Sequence, residues 1–369
     1  MKRNLLYLFL FFNLLITTSA QTKMILGAKQ LPQHDMSKWH VPGDNYSGIT
    51  NLQPDRMAGD TICYAVVSDK MKESGFYVFK IVQNRWTGDI ENISVQKKVN
   101  GSTLHSVENN NSSSILDAEG IAFVPSKSQV FISYENDQSI RGFDLHGAGL
   151  GTSFYVPQSM GINAIYPNYG FEAFTYDQST NTFWATTEHT LMNDGKMSEF
   201  NNISPCLLRL QQFDGNGLPI KQIAYMTDAP EAKSNPRNYA FGVSALTALE
   251  DGSILVLERE FFVKPNYLGS WVRNRIYRIH PKESKDISSL ETLYKLPREE
   301  YSKKEFVAQF KTTLSLVKQN LANYEGMCLG AKMIDGRRTL ILISDSQDNY
   351  GNNLYKMKDY IKVICLEYL

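Results

Sequence analysis

One pattern occurs five times in this chain and limits what it can fold into. A Glu-Gly or Ser-Gly-like pair opens a short apolar stretch, a turn follows, and a second apolar stretch ends in a carboxylate. The copies run from Tyr46 to Asp69, Asp117 to Asn136, Tyr169 to His189, Phe241 to Glu260 and Tyr324 to Ser346. In a regular antiparallel hairpin, residues that face each other have numbers of constant sum. Applied to Ser47/Asp69, Glu119/Glu135, Glu172/Glu188, Ser244/Glu258 and Glu325/Asp345, this rule puts the midpoints at 58, 127, 180, 251 and 335. All five fall in turn-forming segments, and two are Asp-Gly, the signal for a tight hairpin. Each hairpin is therefore expected to bring its two polar residues together at its open end.

A repeat that cannot bury its own apolar face needs neighbours. Further strand-like runs follow the hairpins, such as Ser139 to Leu145, Cys206 to Phe213, Asn274 to His280 and Tyr360 to Leu369. Four short antiparallel strands joined by polar turns make a propeller blade. The expected fold is all-β: a β-propeller of five four-stranded blades, with a sixth left open because the hairpins are spaced wider than the roughly 40–45 residues of a compact blade. Met24 to Leu31 could supply an outer strand to the last blade and close the ring, which removes exposed strand edges. From Glu299 to Leu321, Phe306, Phe310, Leu314, Val317 and Leu321 fall at helical spacing. That spacing predicts an amphipathic helix on the flank, near 299–321.

Charge and cysteine usage narrow the function classes. Lys+Arg and Asp+Glu are equal at 38 each, whereas a nucleic-acid binder normally carries a basic excess. The N-terminus reads as a cleaved signal peptide over 1–20. It has a basic start at Lys2 and Arg3, an apolar stretch from Leu5 to Ile16, and small residues at Thr18-Ser19-Ala20. The protein is thus expected to be periplasmic or secreted, with 21–369 forming one domain and no membrane anchor after cleavage. Cys63, Cys206, Cys328 and Cys365 match no zinc spacing; buried free thiols are the default, and an oxidising compartment leaves one disulfide open without assigning its pair.

Several later segments resemble the phytase-like family, described as "esterase-like activity of phytase" proteins. The resemblance rests on FGVSALTALEDGSILVLERE, NRIYRIH, a segment around Asp286-Ile287-Ser288, and NYEGMCLGAKMIDGRRTLILISDSQDN, in that order. It implies an exported β-propeller with phosphoesterase or carboxylesterase activity, and it supplies no nucleophile. Ser47 and Ser244 depart from the dominant repeat, standing where the other copies have Glu. The five-fold Ser/Glu layout is also similar to that of calcium-dependent nucleotidases of the apyrase type.

If the hairpins form the two innermost strands of each blade, Ser47, Glu119, Glu172, Ser244 and Glu325 ring one mouth of the central channel. Asp69, Glu135, Glu188, Glu258 and Asp345 would form a second ring behind them. So many carboxylates cannot all stay ionised unaided; protons or a cation must relieve them. An oxygen-only donor set without His or Cys points to a hard cation, Ca²⁺ before Mg²⁺. The competing reading makes the carboxylates latches that accept hydrogen bonds from neighbouring blades. Arg259, Arg141 and His189 lie close to these ends and could receive an anionic small-molecule substrate. Each could equally well pair with the same acids, and His189 with its own loop.

No G-x-S-x-G elbow, P-loop or H-E-x-x-H sequence is present, so the common hydrolase and nucleotide motifs are excluded. Two readings follow. One is a Ca²⁺-assisted hydrolase in which Glu135 or Glu188 acts as general base on a phosphoester or ester, with lactone hydrolysis as a variant. The other is a non-catalytic ligand- or protein-binding propeller with structural calcium.

Overall fold

The computed structural model describes residues 25–71, 74–101, 117–199 and 203–368. The segment read as a signal peptide lies outside them. Twenty strands form five four-stranded antiparallel sheets. Strand β1 is Ile25–Asp35. Blade one is β2 (Tyr46–Asn51), β3 (Thr61–Ser68), β4 (Gly75–Gln83) and β5 (Ile90–Asn100). Blade two is β6 (Ala118–Val124), β7 (Gln129–Tyr134), β8 (Ser139–Asp144) and β9 (Gly149–Ser153). Blade three is β10 (Phe171–Asp177), β11 (Thr182–Thr187), β12 (Leu207–Asp214) and β13 (Pro219–Met226). Blade four is β14 (Asn238–Ala248), β15 (Ile254–Val263), β16 (Trp271–Ile279) and β17 (Glu305–Thr313). Blade five is β18 (Asn323–Lys332), β19 (Arg338–Asp345), β20 (Tyr360–Tyr368) and, as its outermost strand, β1.

The pairing of β1 with β20 closes the ring, as the sequence around Met24 to Leu31 suggests. The strand is longer than expected: Ala28 faces Leu366 and Asp35 faces Tyr360. Joining the two ends of the chain in one sheet leaves no open edge in the array. The five inner strands β2, β6, β10, β14 and β18 contact one another in that cyclic order. Long loops between and within blades, not a sixth blade, account for the wide repeat spacing among the described residues.

The segment read as a flanking helix is different. Among the described residues there is no helix of seven residues or more. Residues Glu305–Thr313 form the edge strand β17, paired along β16 from Arg278↔Glu305 to Trp271↔Thr313. Of the five apolar positions at helical spacing, Leu314 and Leu321 are buried, whereas Phe306 and Val317 are 61% and 93% exposed. The reason is backbone satisfaction. Strand β16 needs partners for its outer N–H and C=O groups, and a strand provides them where a helix cannot. Here tertiary pairing overrides a local period.

The core is distributed between adjacent blades. Phe131, Phe154, Phe174, Phe183 and Phe213 pack together between blades two and three, Phe154 edge-on to Phe174, Phe183 and Phe213, and Phe174 stacked on Phe183. All four cysteines are free; Cys206, Cys328 and Cys365 are buried and Cys63 is half-buried.

Around the axis the inner strands run very close together. A Cβ added to Gly48 would lie 2.5 Å from the Glu119 carbonyl oxygen, and one on Gly326 would lie 2.8 Å from the Ser47 carbonyl oxygen. Gly48→Val is therefore expected to destabilise the fold by about 1–3 kcal/mol, the usual range for overpacking. Chemical denaturation of the two proteins measures this; an unchanged midpoint would contradict the close approach of β2 and β6.

Candidate functional site: an acid cage on the propeller axis

The site grows out of one backbone irregularity repeated in every blade. On each inner strand the pairing register slips by one residue, between Tyr46 and Gly48, Ala118 and Gly120, Phe171 and Ala173, Val243 and Ala245, and Tyr324 and Gly326. The skipped residues are Ser47, Glu119, Glu172, Ser244 and Glu325. Each is the extra residue of a β-bulge, a device that re-aims a side chain. Glu119, Glu172 and Glu325 thereby bring one carboxylate oxygen each to within 4.8 Å of the others. The two serines are buried and donate to backbone carbonyls, Ser244 to Tyr324 at 3.1 Å and Ser47 to Asn45 at 3.5 Å.

The bulge also corrects the constant-sum pairing. Glu119 does not face Glu135. The residue two places earlier, Asp117, does, and the Glu135 N–H donates to its carbonyl at 2.9 Å. Asp117, Glu119 and Glu135 form a second group of carboxylates within 4.8 Å. Asp117 opens the second copy of the repeat, and a pairing rule that allowed one extra residue would have found it.

The same shift changes blade four. Val243 faces Glu258 and Gly242 faces Arg259, so Arg259, not Glu258, takes the position that Asp69, Glu135, Glu188 and Asp345 hold in the other blades. Glu258 points elsewhere. It accepts from the Tyr225 hydroxyl at 2.7 Å, the Asp228 N–H at 3.1 Å and Lys304 at 2.8 Å.

Arg259 is buried and its guanidinium spans three blades. It pairs with Glu188 of blade three and with Glu325 of blade five at 3.1 Å, and lies 4.0 Å from Glu172. Asn323 accepts from it at 2.8 Å and donates to Glu325 at 2.6 Å. At the rim, Lys70 lies 3.5 Å from Asp69 and 3.7 Å from Asp348. Asp345 accepts from the Gln347 N–H at 2.6 Å, and Glu135 from the Gly170 N–H at 3.0 Å.

The remaining acids are poorly matched. Glu119 and Glu172 are 8% and 6% exposed; among the described residues no N–H or alcohol hydroxyl donates to either carboxylate, and Glu119 hydrogen-bonds to the Asp117 carboxyl, which also bonds Glu135. One oxygen of Asp69 is buried without a partner. Two like charges at about 5 Å repel by about 3 kcal/mol at an effective dielectric of about 20. Burial, then neighbouring carboxylates, push the carboxyls of Glu119, Glu172 and Glu325 well above the usual range. The same causes raise Glu135 to about 8 and Asp69 to about 7, and burial raises Asp345 to about 7.

Two further sequence candidates lie outside the cage. Arg141 pairs with Asp137 on the third strand of blade two and stacks over Tyr134, 4.8 Å from the ring centre. His189 is buried, and its Nε2 accepts the Ser198 N–H at 3.0 Å. Burial lowers its pKa to about 4, so it stays neutral and holds its own loop.

Below the ring the channel changes character. Ile49, Ile121, Phe174, Leu246 and Met327 lie between the acids and a cavity of about 400 Å³ at the opposite mouth, where the hairpin turns are.

An antiparallel five-bladed propeller with carboxylates from four blades gathered on its axis defines the class. The chain belongs to the phytase-like family: the family model described as "Esterase-like activity of phytase" matches residues 45–350. No curated protein matches it. Among solved structures it is similar to an endo-arabinase from Bacteroides thetaiotaomicron, at 10% identity and TM-score 0.40 over 88% of this chain and 98% of that one. An α-l-arabinofuranosidase from Fusarium graminearum gives 10% identity and TM-score 0.39 over 92% and 98%. A DUF4221 family member from Bacteroides vulgatus gives 10% and 0.37 over 94% and 98%.

Two outcomes are expected. In protein stripped of divalent ions with a chelator, Glu135, Asp69 and Asp345 bind protons in the folded state up to pH 7–8, but in the unfolded state only up to about pH 4. Folding then takes up protons between those limits, so stability falls as pH rises from about 4 to about 8. Thermal melts across that range test the sign; stability that rises with pH would contradict the buried, protonated acids. Arg259→Met leaves Glu188 and Glu325 without their buried partner, and a loss of about 3–5 kcal/mol is expected in the same chelated buffer. A loss below about 1 kcal/mol by denaturant titration, the range of an exposed pair, would show that the guanidinium is not a fastener.

Proposed function

We propose that this chain is an exported, divalent-cation-dependent hydrolase of phosphoesters or simple esters, working at the acid-lined mouth of the propeller. The observation that carries the reading is the excess of buried carboxylate over cation: among the described residues, Asp69, Asp117, Glu119, Glu135, Glu172, Glu188, Glu325 and Asp345 share only Arg259 and the rim residue Lys70. Such a set fits a hard cation, because every donor is an oxygen and, among the described residues, neither Glu119 nor Glu172 accepts from an N–H or alcohol hydroxyl. Calcium is favoured over magnesium, since the donors are carboxylates on separate strands, a set that a cation tolerant of irregular geometry accepts more readily than one that demands a near-ideal octahedron. Bound there, the cation would polarise a phosphoryl or carbonyl oxygen of the substrate.

The protein's own groups divide the remaining work. Glu188 is committed to Arg259, which leaves Glu135 as the better general base. One Glu135 oxygen is fixed by the Gly170 N–H, and its raised pKa of about 8 suits proton transfer near neutrality. Arg259 orients the acid side chains and is not free to grip a substrate anion. The layer of Ile49, Ile121, Phe174, Leu246 and Met327 gives the acids an apolar wall on the side of the hairpin turns. Export rests on the N-terminal signal pattern.

The test is an assay of the mature protein on aryl phosphomonoesters, aryl carboxylic esters and lactones, with and without a calcium chelator. Calcium-dependent turnover of one of these classes, lowered about 100-fold or more in kcat by Glu135→Gln, supports the reading. No turnover of any class by folded, calcium-supplied protein would refute it.

One observation favours a second reading. Arg259 joins Glu188, Glu325 and Asn323 across three blades, as a latch would. Under this reading calcium is structural and the propeller binds a ligand or protein without turnover; chelation then lowers the melting temperature and nothing else.

A further inference from the structure

We propose that Arg259 is a built-in cation that occupies half of the acid cage, so that an added divalent cation is confined to the blade-two side, between Asp117 and Glu119 with Glu135 at its border. This rests on the cation reading of the site and refines where the ion sits and how many ions the cage accepts.

The cage offers two groups of three carboxylates that share Glu119: Glu119 with Glu172 and Glu325, and Glu119 with Asp117 and Glu135. They are not equivalent. The guanidinium of Arg259 lies against the first, 3.1 Å from Glu325 and 4.0 Å from Glu172, and Glu325 also receives Asn323. A divalent ion seated there would face a fixed positive charge at contact distance and would compete for an oxygen already doubly bonded. No arginine or lysine forms an ion pair with Asp117, Glu119 or Glu135 among the described residues. The nearest cation on that side, Lys70, is paired with Asp69 and Asp348 at the rim. Glu119, more than nine-tenths buried, is aimed into this group by its bulge and accepts from no N–H or alcohol hydroxyl. Its hydrogen-bond partner is another acid, Asp117 of the same group, so the pair must share a proton or a cation, and a divalent ion seated between them would take that proton's place.

The register gives the device a simple origin. Four blades place a carboxylate at the position after the bulge partner and blade four places Arg259 there. Ser244 completes the pattern by removing the acid from the neighbouring bulge of the same blade. Blade one also has a serine, Ser47, at its bulge but keeps Asp69; blade four is the blade that contributes no acid from either position and adds Arg259.

Calcium alone is the probe, titrated calorimetrically into the chelator-stripped mature protein, with elemental analysis after desalting. The wild type is expected to bind one ion per chain. Asp117→Asn should weaken binding about tenfold or more, in the range seen when a support of a metal site is lost, while Glu325→Gln should change it by less than about threefold. Arg259→Gln should bind two ions, and its folding should become calcium-dependent; Arg259→Lys should return the stoichiometry to one. Two ions in the wild type, or a larger loss for Glu325→Gln than for Asp117→Asn, would overturn the confinement to blade two. If Arg259→Gln does not fold even with calcium, the Asp117→Asn and Glu325→Gln comparison decides alone. No calcium bound by the wild type would instead refute the cation reading on which this rests.

Discussion

Too much negative charge sits on the axis of this propeller for the side chains alone to balance, and the site is arranged around that fact. Eight carboxylates from blades one, two, three and five meet where the inner strands are closest. Each is there because of backbone geometry. The bulges turn five residues toward the axis, and the small residues that follow them let the strands approach until a Cβ on Gly48 would strike the next strand. Removing the acids from water raises the energy of their charged forms. The protein answers with one buried arginine and with protons, and the proposed calcium ion would supply the rest.

The architecture was legible in the sequence because a propeller is a repeat. The five hairpins, their turns at Asp251-Gly252 and Asp335-Gly336, and the closing strand at the N-terminus follow from alternation, turn chemistry and the need to leave no edge open. The segment 299–321 was not legible. Its five apolar residues fit a helical period, but β16 required an edge partner, and strand pairing is a long-range demand that no local window records. The cage was half legible for a related reason. The polar residues at the hairpin ends were identifiable, yet a rule that assumes regular pairing ignores the bulge: the residue that faces Glu135 is Asp117, two places before Glu119, and the one that faces Glu258 is Val243, one place before Ser244. That hid Asp117 and set Glu258 where Arg259 stands. Arg141 and His189 were close to the ends in sequence but not in space. Strand alternation turns Arg141 outward to Asp137, and His189 folds back onto Ser198.

Blade four departs furthest from the repeat, with Arg259 as well as Ser244 in place of acids, and the departure has a physical use. An all-acid ring would have no fixed positive charge and would depend wholly on protons or ions for its assembly. Arg259 supplies one permanent charge that reaches blades three and five at once. The fold can therefore hold its axis together while leaving part of the cage available. A surface ion pair of the same composition would contribute little; buried and hydrogen-bonded on several sides, this one sets the geometry of its neighbours.

The most direct measurement is the anomalous difference density of crystals grown from the mature protein in calcium. The expected result is a peak on the axis side of blade two, roughly 2.3–2.6 Å from carboxylate oxygens of Asp117 and Glu119, with Arg259 still seated on Glu188 and Glu325. A cage with no such peak, in which Arg259 or ordered water alone satisfies Glu119, would contradict a calcium site on this axis.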